Sequence, residues 1–214
     1  MSDTIRRLLH RYFRGRAHFL DNFLFEQRFR QRGLGHARSI ASWTGPTELR
    51  ALYELATAVP PNGAVLEIGS YLGASSCYLA AGLAERGGRL FCVDTWRNET
   101  MPDGERDTFA EFTANVRPVA DRITTIRKRS EDLATADVPV PIHLAFIDGD
   151  HDYDAVRCDF EIVARMIAPR GVIAFHDFGD PQFPGVTRVV GEALASGRWI
   201  QRGFVRTLVW LSAP

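Results

Sequence analysis

Val65-Leu66-Glu67-Ile68-Gly69-Ser70-Tyr71-Leu72-Gly73-Ala74-Ser75-Ser76 is the stretch on which the fold turns. A short apolar run with strand character ends at one glycine, and a second glycine four residues later opens a helical pattern. Glycine lets the backbone come close to a ligand, and a helix N-terminus offers unpaired N–H groups and a partial positive charge. A turn built for a pyrophosphate carries GxGxxG. Here the spacing is Gly69-x-x-x-Gly73, and Glu67 on the strand would repel a pyrophosphate while suiting a cationic, amine-bearing ligand.

The next apolar run, Leu90 to Val93, ends in Asp94, 25 positions after Gly69. An acid there can accept hydrogen bonds from both hydroxyls of a ribose; the competing reading is a plain helix cap. Ribose grip, glycine turn and strand carboxylate together suit S-adenosylmethionine better than NAD, because that molecule presents a carboxylate and an ammonium instead of phosphates.

Outward from this core, strand patterns at Ile123 to Ile126, Ile142 to Ile147 and Val172 to Phe175 alternate with helical ones at Ala74 to Arg86, Arg106 to Val116, Ser130 to Ala134 and Asp154 to Ile167. Such alternation implies parallel strands joined by right-handed crossovers, an α/β doubly wound sheet with ligands at the carboxyl ends of its strands. After a helix at Val186 to Ala195, Trp199 to Leu211 reads as two strands around Arg202-Gly203, too close for a crossover helix. The expected architecture is a Rossmann-like, seven-stranded, three-layer α/β/α sheet closed by a C-terminal antiparallel hairpin.

A second dense cluster, Phe146-Ile147-Asp148-Gly149-Asp150-His151-Asp152-Tyr153, leaves the fourth parallel strand, and the next strand ends Phe175-His176-Asp177. Asp148 and Asp177 leave adjacent strand ends and are positioned to converge on one hard cation. His151 follows Asp148 by three residues; an imidazole of ordinary pKa, about 6.5, can take a hydroxyl proton at neutral pH. The alternative is a loop histidine that caps the helix beginning near Asp154.

On these residues the chain resembles a class I methyltransferase, over roughly Trp43 to Pro214. More narrowly it resembles the small bacterial methyltransferases grouped with macrolide-sugar O-methyltransferases, and VLEIGSYLGASS is similar to catechol O-methyltransferase. The resemblance implies that Gly69, Tyr71, Gly73 and Ser75 contact the methionine part of the cofactor, Asp94 the ribose, and Ser130 with Glu131 the adenine. Glu67, Ser70, Thr95, Trp96 and Asp148 complete the expected cofactor set, with Trp96 either beside the adenine or, with Arg97, on the acceptor. It also implies a divalent metal, Mg²⁺ in relatives, on Asp148, His176 and Asp177, with Asp148 and His151 catalytic. His176 stands where many relatives carry an acid, and imidazole suits Zn²⁺, Mn²⁺ or Fe²⁺ better than Mg²⁺. Thr95 to Asp107 reads as a lid-length loop.

The expected activity is O-methylation of a hydroxyl on a small molecule, with a sugar or glycoconjugate the class the resemblance implies. Three alternatives stay in play: a nucleic-acid methyltransferase, though no NPPY-like motif follows the fourth strand; a non-catalytic or membrane-surface S-adenosylmethionine-binding module; and an NAD-linked oxidoreductase.

The 26 basic and 26 acidic residues cancel, which gives no footprint for nucleic acid. The split is uneven: residues 1–50 hold ten arginines against four acids, about +6, and the remainder is about −6. Three cysteines without a CxxC pair argue against a disulfide framework and fit a reducing, cytoplasmic setting. Arginines break every apolar stretch near the start, so neither a signal peptide nor a membrane span is expected. Residues 1–45 form the expected amphipathic helical extension, with helical spacing from Thr4 to about Arg30, and 46–214 the cofactor-binding domain. The extension is expected to pack in a homodimer; contact with a membrane surface is the less favoured reading.

Overall fold

The computed structural model describes residues 23–84, 86–99, 104–138 and 141–213. The chain separates into two units, Met1–His36 and Ala37–Pro214, where the sequence suggests a boundary at 45. Most of the expected first helix lies outside the described residues. Its described part, residues 23–31 (α1), brings the rings of Phe25 and Phe29 to 4.7 Å. It ends at Gly33, φ 72°, where the Leu34 N–H returns to the Phe29 carbonyl at 3.0 Å.

The second unit opens with a 3₁₀ turn, Gly35–Ser39, that spans the division, and α2, Pro46–Thr57. The strands are β1 Ala64–Ile68, β2 Arg89–Asp94, β3 Ile123–Arg127, β4 Ile142–Ile147, β5 Ile167–Phe175, β6 Ile200–Val205 and β7 Leu208–Ser212. Between them lie α3 Ala74–Leu83, α4 Phe109–Val116, α5 Tyr153–Met166 and α6 Pro184–Ala195. One seven-stranded sheet has the order β3-β2-β1-β4-β5-β7-β6, parallel except at β7, which runs antiparallel to both β5 and β6.

Every residue of β1 is buried, as a central parallel strand covered on both faces must be. α5 and α6 close one face, where Phe160 lies 5.8 Å from Phe175 and 5.4 Å from Trp199. The register does most to build a site. Ile68 pairs with Val93 and Ile147, and Ile147 with Phe175, so the residues that follow, Gly69, Asp94, Asp148 and His176, emerge side by side along one edge.

Four expectations need correction. The hairpin turns at Arg206-Thr207, not at Arg202-Gly203: Gly203 lies inside β6, beneath the Trp210 ring, which a β-carbon there would meet at 2.3 Å. β5 starts at Ile167, because Ile167 pairs with Ile142 before the register shifts. α4 starts at Phe109, since the Arg106 and Thr108 amides turn back to the Arg97 and Trp96 carbonyls. The helix expected at Ser130 to Ala134 shrinks to a 3₁₀ turn, Ser130–Asp132.

Candidate active site

The glycine turn is built as the sequence requires. Gly69 has φ +85°, and a β-carbon on it would sit 2.0 Å from the Asp148 carbonyl oxygen, so only glycine lets β1 and β4 end this close together. Gly73, φ +88°, caps α3, and Tyr71 also takes a left-handed conformation, φ 45°. Asp94 Oδ2 accepts the Ser70 and Tyr71 amides, each at 2.8 Å, and Oδ1 accepts the Trp96 amide at 2.6 Å. Asp94 therefore shapes the turn, and its fourth lone pair remains for a ribose hydroxyl.

Glu67 is fully buried. Its Oε2 accepts from Ser70 Oγ at 2.7 Å, from Cys92 Sγ at 3.3 Å and from Ser76 Oγ, while Oε1 has no partner. Burial raises its pKa against the opposing hydrogen bonds of Ser75, Ser76 and Ser70. An unpaired carboxylate oxygen beneath a glycine turn fits a ligand's ammonium.

Trp96 is fully buried and packs its ring 5.0 Å from Phe109 and 4.8 Å from Phe112. Its side chain anchors the loop, its amide donates to Asp94 and its carbonyl accepts the Thr108 amide, while the ring nitrogen has no partner among the described residues. Thr95 and Arg97 lie on the same loop, with the Arg97 amide donating to Thr95 Oγ at 3.2 Å. Ser130 and Glu131 stand past β3, and beside them Asp159 of α5 is buried and was not singled out by sequence. Burial pushes Asp159 up to about 6, against a hydrogen bond from Ser130.

At the other end of the strand edge, His151 Nε2 lies 2.8 Å from Asp177 Oδ2 and 3.9 Å from Asp148 Oδ1, and its ring rests 4.2 Å from that of Phe183. The nearer contact is an ion pair whose alignment falls short of a hydrogen bond. Burial alone would lower the His151 pKa, but Asp148 and Asp177 override it and raise the value to about 9. The expectation of an imidazole of ordinary pKa is corrected accordingly: two carboxylates favour its charged form.

His176 is buried beneath this group, with Nδ1 3.3 Å from Asp148 Oδ1 and 3.1 Å from Asp177 Oδ2. Burial opposes its charge, yet Asp148, Asp177 and Glu48 hold it well above the imidazole range. Asp148 is in turn held well below the carboxylate range, burial being outweighed by His176 and His151, and Asp177 is lowered by the same two histidines.

Among the described residues, the ligand atoms of Asp148, His151 and Asp177 all lie within 4.8 Å of one another. Two carboxylates and an imidazole fit a divalent cation of the Mn²⁺, Fe²⁺ or Zn²⁺ kind. This trio takes His151 where the sequence suggested His176, which is buried while His151 is half-buried, although both rings meet the same oxygens of Asp148 and Asp177.

Sequence reasoning missed Thr44 and Glu48, which reach the same edge from the start of α2. Thr44 Oγ1 donates to Asp148 Oδ2 at 3.3 Å, and Glu48 Oε2 lies 3.7 Å from His176 Nε2. An acid at the third helical position, Glu48 accepting the Gly45 amide at 2.8 Å as the Glu of a capping box does, was the one local signal available.

A family model described as a methyltransferase domain matches residues 66–178. The O-methyltransferase from Bacillus cereus, in complex with S-adenosylhomocysteine, is 19% identical, covers 88% of this chain and 91% of its own, and has a TM-score of 0.60. TomG, an O-methyltransferase of Streptomyces achromogenes in tomaymycin synthesis, solved with S-adenosylmethionine, is 22% identical over 87% of this chain and 86% of its own, at 0.59. CalS11, a TDP-rhamnose 3′-O-methyltransferase of calicheamicin biosynthesis, is 19% identical over 78% of this chain and 77% of its own, also at 0.59.

Proposed function

Since the chain belongs to the methyltransferase-domain family and is a class I S-adenosylmethionine-dependent methyltransferase, we propose that it methylates a hydroxyl of a small molecule, a sugar or glycoconjugate, at the Asp148–His151–Asp177 edge. The observation that carries this reading is the shared register of strand ends: the glycine turn and Asp94 lie on β1 and β2, and the acid–histidine cluster lies beside them on β4 and β5. The neighbouring sugar O-methyltransferase supports the acceptor class.

Gly69, Tyr71 and Gly73 would admit the methionine end of the cofactor, with Ser75 at the start of α3; Glu67 would receive its ammonium on Oε1, and Asp94 a ribose hydroxyl. Ser130 and Glu131 border the adenine. When bound, S-adenosylmethionine supplies a methyl already activated by its sulfonium, so the protein has to orient and deprotonate the acceptor. The acceptor oxygen forms the new bond to the methyl carbon as the carbon–sulfur bond breaks, leaving S-adenosylhomocysteine. His151 Nε2, deprotonated at the start of the step, takes the hydroxyl proton. Asp177 and Asp148 then stabilise the imidazolium so formed, as their contacts already do. A divalent cation held by Asp148 and Asp177, with His151 Nε2 kept for the proton, would lower the hydroxyl's pKa and fix its direction.

Calorimetric titration with S-adenosylhomocysteine, alone and with Mg²⁺, Mn²⁺ or Zn²⁺, tests the scheme. Binding is expected in the wild type and in Asp148→Ala and Asp177→Ala, with methyl transfer lost in both variants. No binding under any condition would overturn the cofactor assignment, and full transfer by Asp177→Ala after chelation would remove the metal.

A further inference from the structure

Glu48 lies outside the stretch that matches the family, yet it joins the start of α2 to the β6–β7 turn and to the end of β5 beside the catalytic edge. It is buried in the first turn of α2. Oε1 accepts both the amide of Thr207, at 2.9 Å, and its hydroxyl, at 2.8 Å, from the β6–β7 turn. Oε2 accepts the Gly45 amide at 2.8 Å and has its remaining side 3.7 Å from His176 Nε2. The carboxylate is thus fixed from two directions before it meets the histidine. His176, for its part, has Nε2 towards Glu48 and Nδ1 towards Asp148 and Asp177, at 3.3 and 3.1 Å, ion-pair contacts whose alignment falls short of hydrogen bonds.

We propose that Glu48 is a positioning residue of the active site: it sets the plane and direction of the His176 ring, so that one ring nitrogen holds Asp148 and Asp177 together beneath His151. The physical need is plain. Two carboxylates brought this close repel each other unless a donor stands between them, and an imidazole can fill that place only if its opposite nitrogen is itself held. Hydrogen-bonded carboxylate–histidine pairs fix ring orientation beneath metal sites, and here the pair stands at ion-pair distance, 3.7 Å. Asp148 Oδ1 and Asp177 Oδ2 are shared by the two rings, with His176 Nδ1 at 3.3 and 3.1 Å and His151 Nε2 at 3.9 and 2.8 Å, so the direction of the His176 ring bears directly on the oxygens that His151 meets. The role rests on the function proposed above, in that the acids it aligns are the ones assigned to the acceptor.

The test compares wild type, Glu48→Gln and, as a control on the same helix, Glu54→Gln, which changes an exposed acid paired with Arg50. Long-range proton–nitrogen NMR spectra of the histidine rings, at pH 7 and with S-adenosylhomocysteine present, report each ring nitrogen directly. Glu48→Gln is expected to move the signals of both His176 nitrogens and of His151 Nε2, while cofactor-product affinity stays within about twofold; where Mn²⁺ binds the wild type, its affinity should fall by roughly 10- to 100-fold. Glu54→Gln should leave all of these in place. Unchanged His176 Nδ1 and His151 signals in Glu48→Gln would overturn the proposal, as would a loss of product affinity in step with them, which would make Glu48 a general support of the fold.

Should Glu48→Gln fail to fold, Thr207→Val removes one donor to Oε1 and is expected to move the same signals less far; spectra identical to wild type would again overturn the role. A wild type that binds no S-adenosylhomocysteine would instead sink the function itself, with the His176 spectra still deciding for or against Glu48.

Discussion

His151 carries the most informative titration in the molecule. Its pKa is raised to about 9 by Asp148 and Asp177 against the effect of burial, so at neutral pH most of the free protein holds it charged, and the fraction able to accept a proton grows towards pH 9. NMR titration of the ring is expected to give a midpoint near 9, and Asp177→Asn should bring it down towards the ordinary 6.5; a midpoint already at 6.5 in the wild type would remove the ion pair from the account. Asp94 makes the second prediction at this scale. Asp94→Ala deletes three hydrogen bonds to the glycine turn as well as the ribose grip. Hydrogen bonds to a charged group contribute roughly 1.5–3 kcal/mol, so calorimetry should show S-adenosylhomocysteine bound at least tenfold more weakly. Equal affinity would mean that the ribose is held elsewhere.

Among the elements, the β1–turn–α3 unit is the least tolerant of change. A side chain at Gly69 meets a left-handed penalty of about 1–2 kcal/mol and, more seriously, the Asp148 carbonyl at 2.0 Å from its β-carbon. Gly69→Ala is therefore expected to push β1 and β4 apart at their ends, lowering the melting temperature and abolishing product binding together. Gly104→Ala, where φ is +88° but a β-carbon meets nothing within 4 Å, should cost only the backbone strain. Similar thermal shifts for both variants would contradict this.

The same unit was legible beforehand because strand, turn and helix are contiguous, and each carries its own signal in composition and period. The β6–β7 hairpin was legible as a pair of strands but not in its turn. Arg202-Gly203 looks like a turn by residue type, whereas Gly203 is there because the Trp210 ring crosses it, a contact that exists only once the strands pair.

Over the whole molecule the charged groups at the strand edge set the pH range of stability. Glu48, lowered from 4.5 to about 2 because His176, Thr207 and Gly45 outweigh its burial, and the lowered Asp148 and Asp177 contribute stability that is complete above the ordinary carboxylate values and drains away as pH falls towards 2. His151, raised, contributes stability that is complete below 6.5 and is lost as pH rises through about 9. Melting temperature is thus expected to peak between about pH 4.5 and 6.5 and to fall on both sides, with the alkaline fall reduced but not abolished in His151→Gln, because His176 is raised as well. Among the described residues no helix is long and apolar enough to cross a membrane.

By itself the sequence determined the doubly wound architecture, the glycine turn and the two acid-bearing strand ends, because each is written in neighbouring residues whose spacing has a local physical cause. It could name Asp148, His151, His176 and Asp177 as a group, since they follow adjacent strands. Only the tertiary structure decided how they divide the work: His151 facing outward beside the two acids, His176 buried beneath them, and Glu48 and Thr44 brought in from more than 100 residues away. That division depends on strand register and on which face of α2 meets the sheet edge, and neither is encoded in any contiguous run of the chain.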